Sequence, residues 1–304
     1  MKGRSFLFVL SEQLLSAVKS KKADLEVRRW RTLAWVALCV CLSACADSST
    51  AQPTPEAAKR FLKLRGYDFN EESFFKAAAD GDVMAVNGFI SAGININARD
   101  KNDDTVLTAT AASGDAKVLD ALLRGGADVN AKGRNSWTAL LLALHEEREN
   151  IADILLGQTN IDLKAESPDG MNALMLAVWH QQERAVRALL KRGIDVNHQD
   201  KDGDTALHGA ALYGNAKILG LLLDTGGDPN VRNKLGGTAL MWAAAYGHDD
   251  IVRVLLNRGA DPKIRDLSGV TAAGWAAKNG RGNIQMTLRA AERNSKVQSA
   301  KGKL

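Results

Sequence analysis

The sequence predicts an all-α fold made of about seven stacked helix-turn-helix units. A four-residue pattern, Thr or Asn followed by small and apolar residues, recurs along the chain. Its clear copies begin at Thr105, Thr138, Asn172, Thr205, Thr238 and Thr271. Successive copies lie about 33 residues apart, and only the interval before Asn172 is one residue longer. Such a period predicts units that bury their apolar faces by stacking on one another.

Counting back one more period from Thr105 reaches Glu72, where a divergent copy reads Glu-Ser-Phe-Phe. This copy is the first of the seven units.

Each unit carries further landmarks at fixed offsets, and each landmark has a physical reason. The leading Thr can cap the first helix of the unit. Pairs of small residues then let helices approach closely, at Ala78-Ala79, Ala111-Ala112, Ala210-Ala211, Ala243-Ala244 and Ala276-Ala277. A glycine that can adopt the left-handed conformation ends the helix at Gly81, Gly114, Gly214, Gly247 and Gly280. Paired leucines fill the seam between units, at Leu122-Leu123, Leu155-Leu156, Leu189-Leu190, Leu222-Leu223 and Leu255-Leu256.

Together these residues resemble the ankyrin repeat, and the resemblance covers residues 57–293. It implies an ankyrin-repeat solenoid of about seven helix-turn-helix units, joined by short β-hairpin turns such as the one that follows Gly126. The proline that the family usually has in the tetrapeptide is Ala or Val here. This change removes some preorganisation of the turn but does not threaten the fold.

Both ends of the repeat domain look like caps, and its middle departs from the pattern. Residues Pro55–Arg65 predict a short helix that covers the N-terminal seam, and residues 294–304 predict a disordered basic tail. Glu147 and Gln181 replace the helix-closing glycine in the third and fourth units, and the turn after Gly157 carries one extra residue. These departures fit either drift in a tolerant scaffold or loops shaped by a partner.

Residues 1–44 resemble a bacterial lipoprotein signal peptide. Basic residues precede an apolar run, Thr32–Ala44, that is too short for a permanent transmembrane helix. The run ends in Leu-Ser-Ala-Cys, similar to a lipobox, which makes Cys45 the expected lipidated residue. Residues 45–56 then predict a flexible tether. Because the segment before the apolar run is longer than an ordinary basic n-region, an alternative is that translation starts downstream, at Leu25 or Val27.

The expected location follows from the same segment. Ala46 follows the cysteine where an Asp would retain a Gram-negative lipoprotein in the inner membrane. We therefore expect a lipid-anchored protein of the cell envelope, on the periplasmic face of the outer membrane if the organism has one. Several acyl chains on one residue anchor stably, whereas a single chain is marginal.

Charge and cysteine usage exclude several classes of function. The formal charge is +5, but residues 1–44 hold eight Lys/Arg and three Asp/Glu, which accounts for all of it. In the remainder the counts of Lys/Arg and Asp/Glu are equal (40−8 and 35−3), so we expect no nucleic-acid binding. The three cysteines, at positions 39, 41 and 45, all precede the repeats, which excludes a disulfide framework or a thiolate metal site there.

No catalytic motif stands out, so the sequence predicts neither an enzyme nor a cofactor. His208 and His248 lie where ankyrin repeats commonly place a histidine for structural hydrogen bonds. His145 and His180 come from adjacent units, so we expect them about 10 Å apart, too far for a shared metal ion.

The resemblance implies that a partner binds the concave face, formed by the hairpin tips and the exposed ends of the first helices. We call this face the groove. Its candidate residues are Arg134, Trp137, His145, Glu146, Asp169, Met171, Trp179, His180, Asp204, Tyr213 and Tyr246. We expect Trp137 and Trp179 to be exposed side by side as one apolar patch, with Arg134, Glu146, Asp169 and Asp204 as a polar rim. Trp242 and Trp275 lie one turn earlier on the first helix of their units, and we expect both side chains to be half-buried.

The predicted function is a membrane-tethered, monomeric adaptor that binds another protein through the groove. One alternative is an immunity protein that neutralises an antibacterial effector at the envelope. Another is an accessory protein to an envelope enzyme of stress defence. A small-molecule or metal binder is a different class, and no cluster of ligating residues favours it.

Overall fold

The computed structural model describes residues 53–301, and within that range fifteen α-helices follow one another without a β-strand. Isolated antiparallel bridges, such as that between Arg99 and Thr105, close hairpin turns between the units. The predicted signal peptide, Cys45 and most of the tether lie outside the described residues. No helix in the described range is long and apolar enough to cross a membrane.

Helix α1 (Pro55–Leu64) precedes seven pairs of helices, one pair for each predicted unit. The first helices of the units are α2 (Glu71–Ala79), α4 (Val106–Ser113), α6 (Ala139–His145), α8 (Ala173–Trp179), α10 (Ala206–Tyr213), α12 (Ala239–Tyr246) and α14 (Ala272–Lys278). The second helices are α3 (Val83–Ser91), α5 (Ala116–Arg124), α7 (Glu149–Leu156), α9 (Glu183–Lys191), α11 (Ala216–Asp224), α13 (Asp249–Asn257) and α15 (Gly282–Lys301). The all-α repeat architecture is therefore confirmed.

Four of the six predicted capping residues, Thr105, Thr138, Asn172 and Thr271, cap their first helices through a side-chain hydrogen bond, whereas Thr238 does not. The Asn172 side chain accepts a hydrogen bond from the Met175 N–H at 2.9 Å. In the second unit, Thr105 and Thr108 bond to each other's backbone N–H groups, at 3.2 and 2.9 Å. Such caps satisfy donors that the first turn of a helix would otherwise leave unpaired.

One buried side chain in each unit fills the seam between the stacked helices. The first member of each predicted leucine pair is fully buried, while its partner is less well covered. The first unit supplies Phe89 at this position and the last supplies Leu288. The complete row, each member 0% exposed, is Phe89, Leu122, Leu155, Leu189, Leu222, Leu255 and Leu288.

A helix lies at each end of the described range. At the N-terminus α1 packs as a cap, with Ala58 and Leu62 buried and Arg65 paired with Asp82 at 2.7 Å. At the other end α15 continues to Lys301. This helix includes residues 294–301 of the segment for which the sequence predicts a disordered basic tail, and residues 302–304 lie outside the described residues.

The helix-closing turns explain how the middle units accommodate their missing glycines. Glu147 and Gln181 adopt the left-handed backbone of the glycines they replace, with φ of 56° and 54°. Side chains just after these turns reach back to carbonyls of the preceding unit. Gln182 donates to the Leu144 carbonyl at 2.6 Å, as His248 does to that of Leu212 at 3.0 Å.

Shortening a seam residue tests the stacking. Leu222→Ala should lower the free energy of unfolding by about 2–5 kcal/mol, because it leaves a cavity between units. Lys217→Ala, an exposed position on the same helix, is the matched control. A urea unfolding midpoint for Leu222→Ala equal to that of the control would contradict the assigned repeat register.

The positive φ of Gln181 in its helix-closing turn predicts that a glycine there stabilises the protein. Gln181→Gly should raise the free energy of unfolding by roughly 0.5–1 kcal/mol, because glycine adopts a positive φ without the steric penalty of a side chain. Gln199→Gly, at a position without a positive φ, should instead destabilise. Thermal unfolding of both variants measures the difference, and a destabilised Gln181→Gly would show that the turn is unstrained.

Candidate functional site

Aromatic side chains form a row where the first helices of the middle units end. The rings of Trp179 and Tyr213, from adjacent units, meet edge to face with 5.4 Å between centroids. Trp179 is 48% exposed, Tyr213 37% and Tyr246, one unit further, 52%. Burial, and to a smaller extent the hydroxyl of Tyr246, raises the pKa of the Tyr213 hydroxyl. We call Trp179, Tyr213 and Tyr246 the aromatic row.

The same contact recurs one unit earlier between two histidines. The rings of His145 and His180 meet edge to face with 5.4 Å between centroids. The larger separation predicted from the spacing of units is therefore wrong. The longer interval between the third and fourth units aligns His145 with Trp179, so His180 lies one residue further and its ring reaches back. His180 also contacts Glu147 at 3.1 Å, yet the described residues hold no group of three His, Cys, Asp or Glu side chains suited to a metal ion.

Trp137 is not part of an exposed patch with Trp179, so that prediction is wrong. Trp137 is half-buried against the hydrophobic core. Its ring lies 5.1 Å from that of His145, while the ring partner of Trp179 is Tyr213. The physical reason is the position, directly before the capping residue. Every residue at this position is half-buried in units two to seven, at Asp104, Trp137, Met171, Asp204, Gly237 and Val270.

The predicted polar rim is exposed at three of its four positions. Arg134, Glu146 and Asp169 are exposed, and Arg134 lies 3.7 Å from the Asp104 carboxylate. Asp204 is instead half-buried and accepts a hydrogen bond from the Asn233 side chain at 2.9 Å. Met171, predicted as a contact residue, also packs against the core. Asp204 and Met171 therefore belong to the scaffold of the groove more than to its surface.

Asp204 lies beside His208, and the two groups influence each other. Burial raises the pKa of Asp204, although the hydrogen bond from Asn233 opposes the shift. Burial lowers the pKa of His208, although the Asp204 carboxylate opposes that shift. The Thr205 backbone N–H donates to His208 Nδ1 at 3.1 Å, which only an unprotonated Nδ1 can accept. The structural role predicted for His208 and His248 is thus borne out by their bonds.

Two exposed leucines at the hairpin tips extend the apolar surface. Leu235 is 71% and Leu267 73% exposed, at the hairpin tips of the sixth and seventh units. Leu267 was missed, although counting back four residues from Thr271 places it at a tip. Trp242 and Trp275 are half-buried as predicted, and Trp275 donates to Asp266 at 2.8 Å.

A repeating backbone bond ties neighbouring hairpin tips together. The N–H of Lys201 donates to the Asp169 carbonyl, that of Lys234 to Asp202 and that of Leu267 to Leu235, each at 2.9 Å. In every case the donor lies four residues before the capping residue of its unit. The acceptor lies three residues before the capping residue of the preceding unit. We call this series the tip ladder, and it fixes the spacing of units four to seven along the groove.

The sequence matches the family described as ankyrin repeats (3 copies) over residues 74–167, 114–200, 158–233, 174–266 and 207–298. Among solved structures, it is similar to the ankyrin repeat domain of Bcl-3, described as a unique member of the IkappaB protein family. That likeness has a TM-score of 0.63 and 26% identity, and covers 71% of this chain and 97% of the other. No curated protein sequence matches the chain. In all, 551 chains of solved structures match, so the fold alone selects no partner.

The buried histidine predicts a pH dependence of stability. Because the folded pKa of His208 lies below its ordinary 6.5, the unfolded chain takes up the proton first as the pH falls. This contribution to stability is therefore present above pH 6.5 and is lost as the pH drops towards the folded pKa. His208→Thr should flatten this dependence, since the second unit has Thr108 at the same position. Urea unfolding on both sides of pH 6.5 measures it, and an equal slope in the variant would assign the effect to another group.

Proposed function

Because this chain belongs to the ankyrin-repeat family, an interaction scaffold that is typically non-catalytic, we propose that it binds a protein partner through its groove. The aromatic row is the observation that carries the proposal. Tryptophan and tyrosine dominate the binding energy of many protein interfaces. Aromatic residues make up only 5% of this chain, yet three of them lie partly exposed along one line across units four to six.

The row has the composition expected of an interface core with a charged margin. Apolar rings form its centre, while Glu146, Asp169 and Lys201 are exposed at neighbouring helix ends and hairpin tips. Charges at the margin of an interface mainly set association rate and selectivity, while buried aromatic anchors set affinity. Leu235 and Leu267 lengthen the apolar surface towards the C-terminal units, which favours a partner that spans several repeats.

We further propose that the protein acts as a monomeric adaptor at the cell envelope, held to a membrane by a lipid on Cys45. The signal-like segment and the Leu-Ser-Ala-Cys sequence support this part of the proposal. The flexible tether predicted for residues 45–56 would link this lipid to the repeat domain.

The binding proposal is tested by truncating the row. Trp179→Ala and Tyr213→Ala should each weaken partner binding by about 2 kcal/mol, or roughly 30-fold, as hot-spot truncations do. The partner is first recovered with the lipidated protein from the cells that make it, and its affinity is then measured for each variant. A toxin as partner would favour the immunity role, and an envelope enzyme the accessory role.

Two controls make that test specific. Arg187→Ala, on the second helix of the same unit as Trp179, should bind like wild type. Trp137→Ala should lower stability more than binding, because this ring is packed on the core. Full binding by the Trp179→Ala/Tyr213→Ala double variant would refute the assignment of the groove.

The anchor is tested separately from the groove. Cys45→Ser should abolish incorporation of a labelled fatty acid and leave the protein soluble or unprocessed, because only the thiol can accept the lipid. Cys41→Ser, earlier in the apolar run, is the matched control and should still be labelled. Undiminished labelling of Cys45→Ser would refute the lipid anchor without affecting the groove.

A further inference from the structure

The tip ladder joins units four to seven and does not extend back to the third unit. At the preceding junction, between units two and three, the N–H of Arg134 donates instead to the Asp104 carboxylate at 2.9 Å. The donor position of the fourth unit holds Pro168, and proline has no backbone N–H. The carbonyl that this donor would bind belongs to Asn135 and receives no hydrogen bond from the described residues. The tips of units three and four are therefore not bonded to each other, unlike those of all the later units.

A second series of bonds is interrupted at the same fourth hairpin, on the side of the fifth unit. In the turns before units two, three, five and six, an Asn side chain accepts from the backbone N–H of an Asp in the next turn. Asn130 accepts from Asp162 at 2.8 Å, and Asn197 from Asp228 at 2.8 Å. In the turn before unit four this position holds Lys164, which cannot accept a hydrogen bond. The fourth hairpin thus lacks one periodic bond to each of its neighbours.

The hairpins of units three and four also lack an internal brace. In the fifth unit, Asp200 Oδ1 accepts from the N–H groups of Asp202 and Asp204, at 2.9 Å each. The equivalent positions in units three and four hold Gly133, which has no side chain, and Ser167, whose hydroxyl accepts from Met171 alone at 3.2 Å. Within the described residues, the N–H groups of Asn135 and Asp169 consequently have no partner.

A cleft of about 930 Å³ opens where these bonds are missing. Its lining includes Lys132, Asn135, Ser136, Ser167, Pro168 and Lys201. Asn135 and Ser136 have positive φ values of 56° and 65°, a conformation that is unfavourable for residues with a side chain. Backbone strain of this kind is concentrated at binding and catalytic sites.

We propose that an extended peptide segment of the partner lies in this cleft and bonds to the hairpin tips through its own backbone. The inference rests on the proposed function, because it describes how the same partner is held. The cleft offers the free carbonyl and the free N–H of Asn135, and the free N–H of Asp169 belongs to the residue between its lining residues Pro168 and Gly170. An extended peptide presents alternating donors and acceptors that complement these groups, as when a strand is added to an open edge.

The charge of the cleft supports a peptide over an ionic ligand. Its lysines, at 132, 164 and 201, face an equal number of carboxylates, at 162, 166 and 200. A balanced lining does not favour either a phosphate or a cation. Recognition of a peptide through its backbone needs no excess charge in the cleft. A backbone N–H of the peptide can take the place of the N–H that Pro168 lacks and donate to the Asn135 carbonyl.

Restoring the missing donor tests the proposal. Peptides that bind the full-length wild-type protein are selected from a displayed library of short unstructured sequences. Pro168→Lys introduces the residue found at this position in units five and six, so its N–H should bond to Asn135 and close the cleft. The affinity for the peptide should then fall about tenfold or more, because the peptide loses at least one backbone hydrogen bond to the protein. Pro229→Lys, in a turn outside the cleft, should leave affinity unchanged.

A change in the peptide provides an independent measurement. Methylating the peptide nitrogens one at a time should weaken binding about tenfold at the single position that donates to Asn135. Hydrogen exchange at residue 168 of the Pro168→Lys variant reports whether the ladder has closed. If that amide exchanges freely, the ladder has not closed in the variant, and the proposal is then tested by the methylated peptides alone.

The outcomes separate this inference from the proposed function. Failure to select any peptide, equal binding to Pro168→Lys with a protected amide, or no sensitive nitrogen would each overturn the cleft. If the complete partner protein no longer binds Trp179→Ala but binds Pro168→Lys with full affinity, the groove remains the binding site and the cleft is rejected. Full binding of the partner by both variants would reject the groove as well.

Discussion

Stacking at the seam is the constraint on which the rest of this molecule depends. A single repeat unit is too small to bury the apolar side of its own two helices, so each unit is stable only against its neighbours. Buried side chains in every unit meet that requirement, and one fully buried row runs along the whole stack from Phe89 to Leu288. Because this row lies between the helices, the hairpin tips and helix ends are free to vary without loss of the core. Variation that supports binding is therefore tolerated at those edges.

Polar bonds between units show how much variation the stack accepts. Three different side chains follow the helix-closing turns and donate to a carbonyl of the preceding unit, namely Arg148, Gln182 and His248. The chemistry differs, but the donor reaches nearly the same place each time. A buried polar group left unpaired would be destabilising, so the requirement is for a donor and not for a residue type.

The sequence predicted the features that repeat and failed on those that depend on one junction. The helices, the caps and the seam follow from offsets that recur in every unit, as Leu222 and Thr105 illustrate. The distance between His145 and His180 was wrong because the inserted residue shifts one of them by a position, which a fixed unit spacing ignores. The exposure predicted for Trp137 was wrong because its position is half-buried in units two to seven, and a hairpin location alone does not reveal this. The row formed by Trp179, Tyr213 and Tyr246 was predictable, because all three lie at the exposed end of a first helix.

The departures from the repeat pattern gather in units three and four instead of being spread along the chain. Gly133, Lys164 and Pro168 remove bonds on the hairpin side of these units, while Glu147 and Gln181 strain their helix-closing turns. The helix side of the junction between them remains joined, because Gln182 bonds to Leu144 and Arg184 pairs with Asp153 at 2.7 Å. The buried seam, through Leu155 and Leu189, is also intact. The junction is thus open at the tips and closed at the core, an arrangement that exposes backbone groups without loosening the stack.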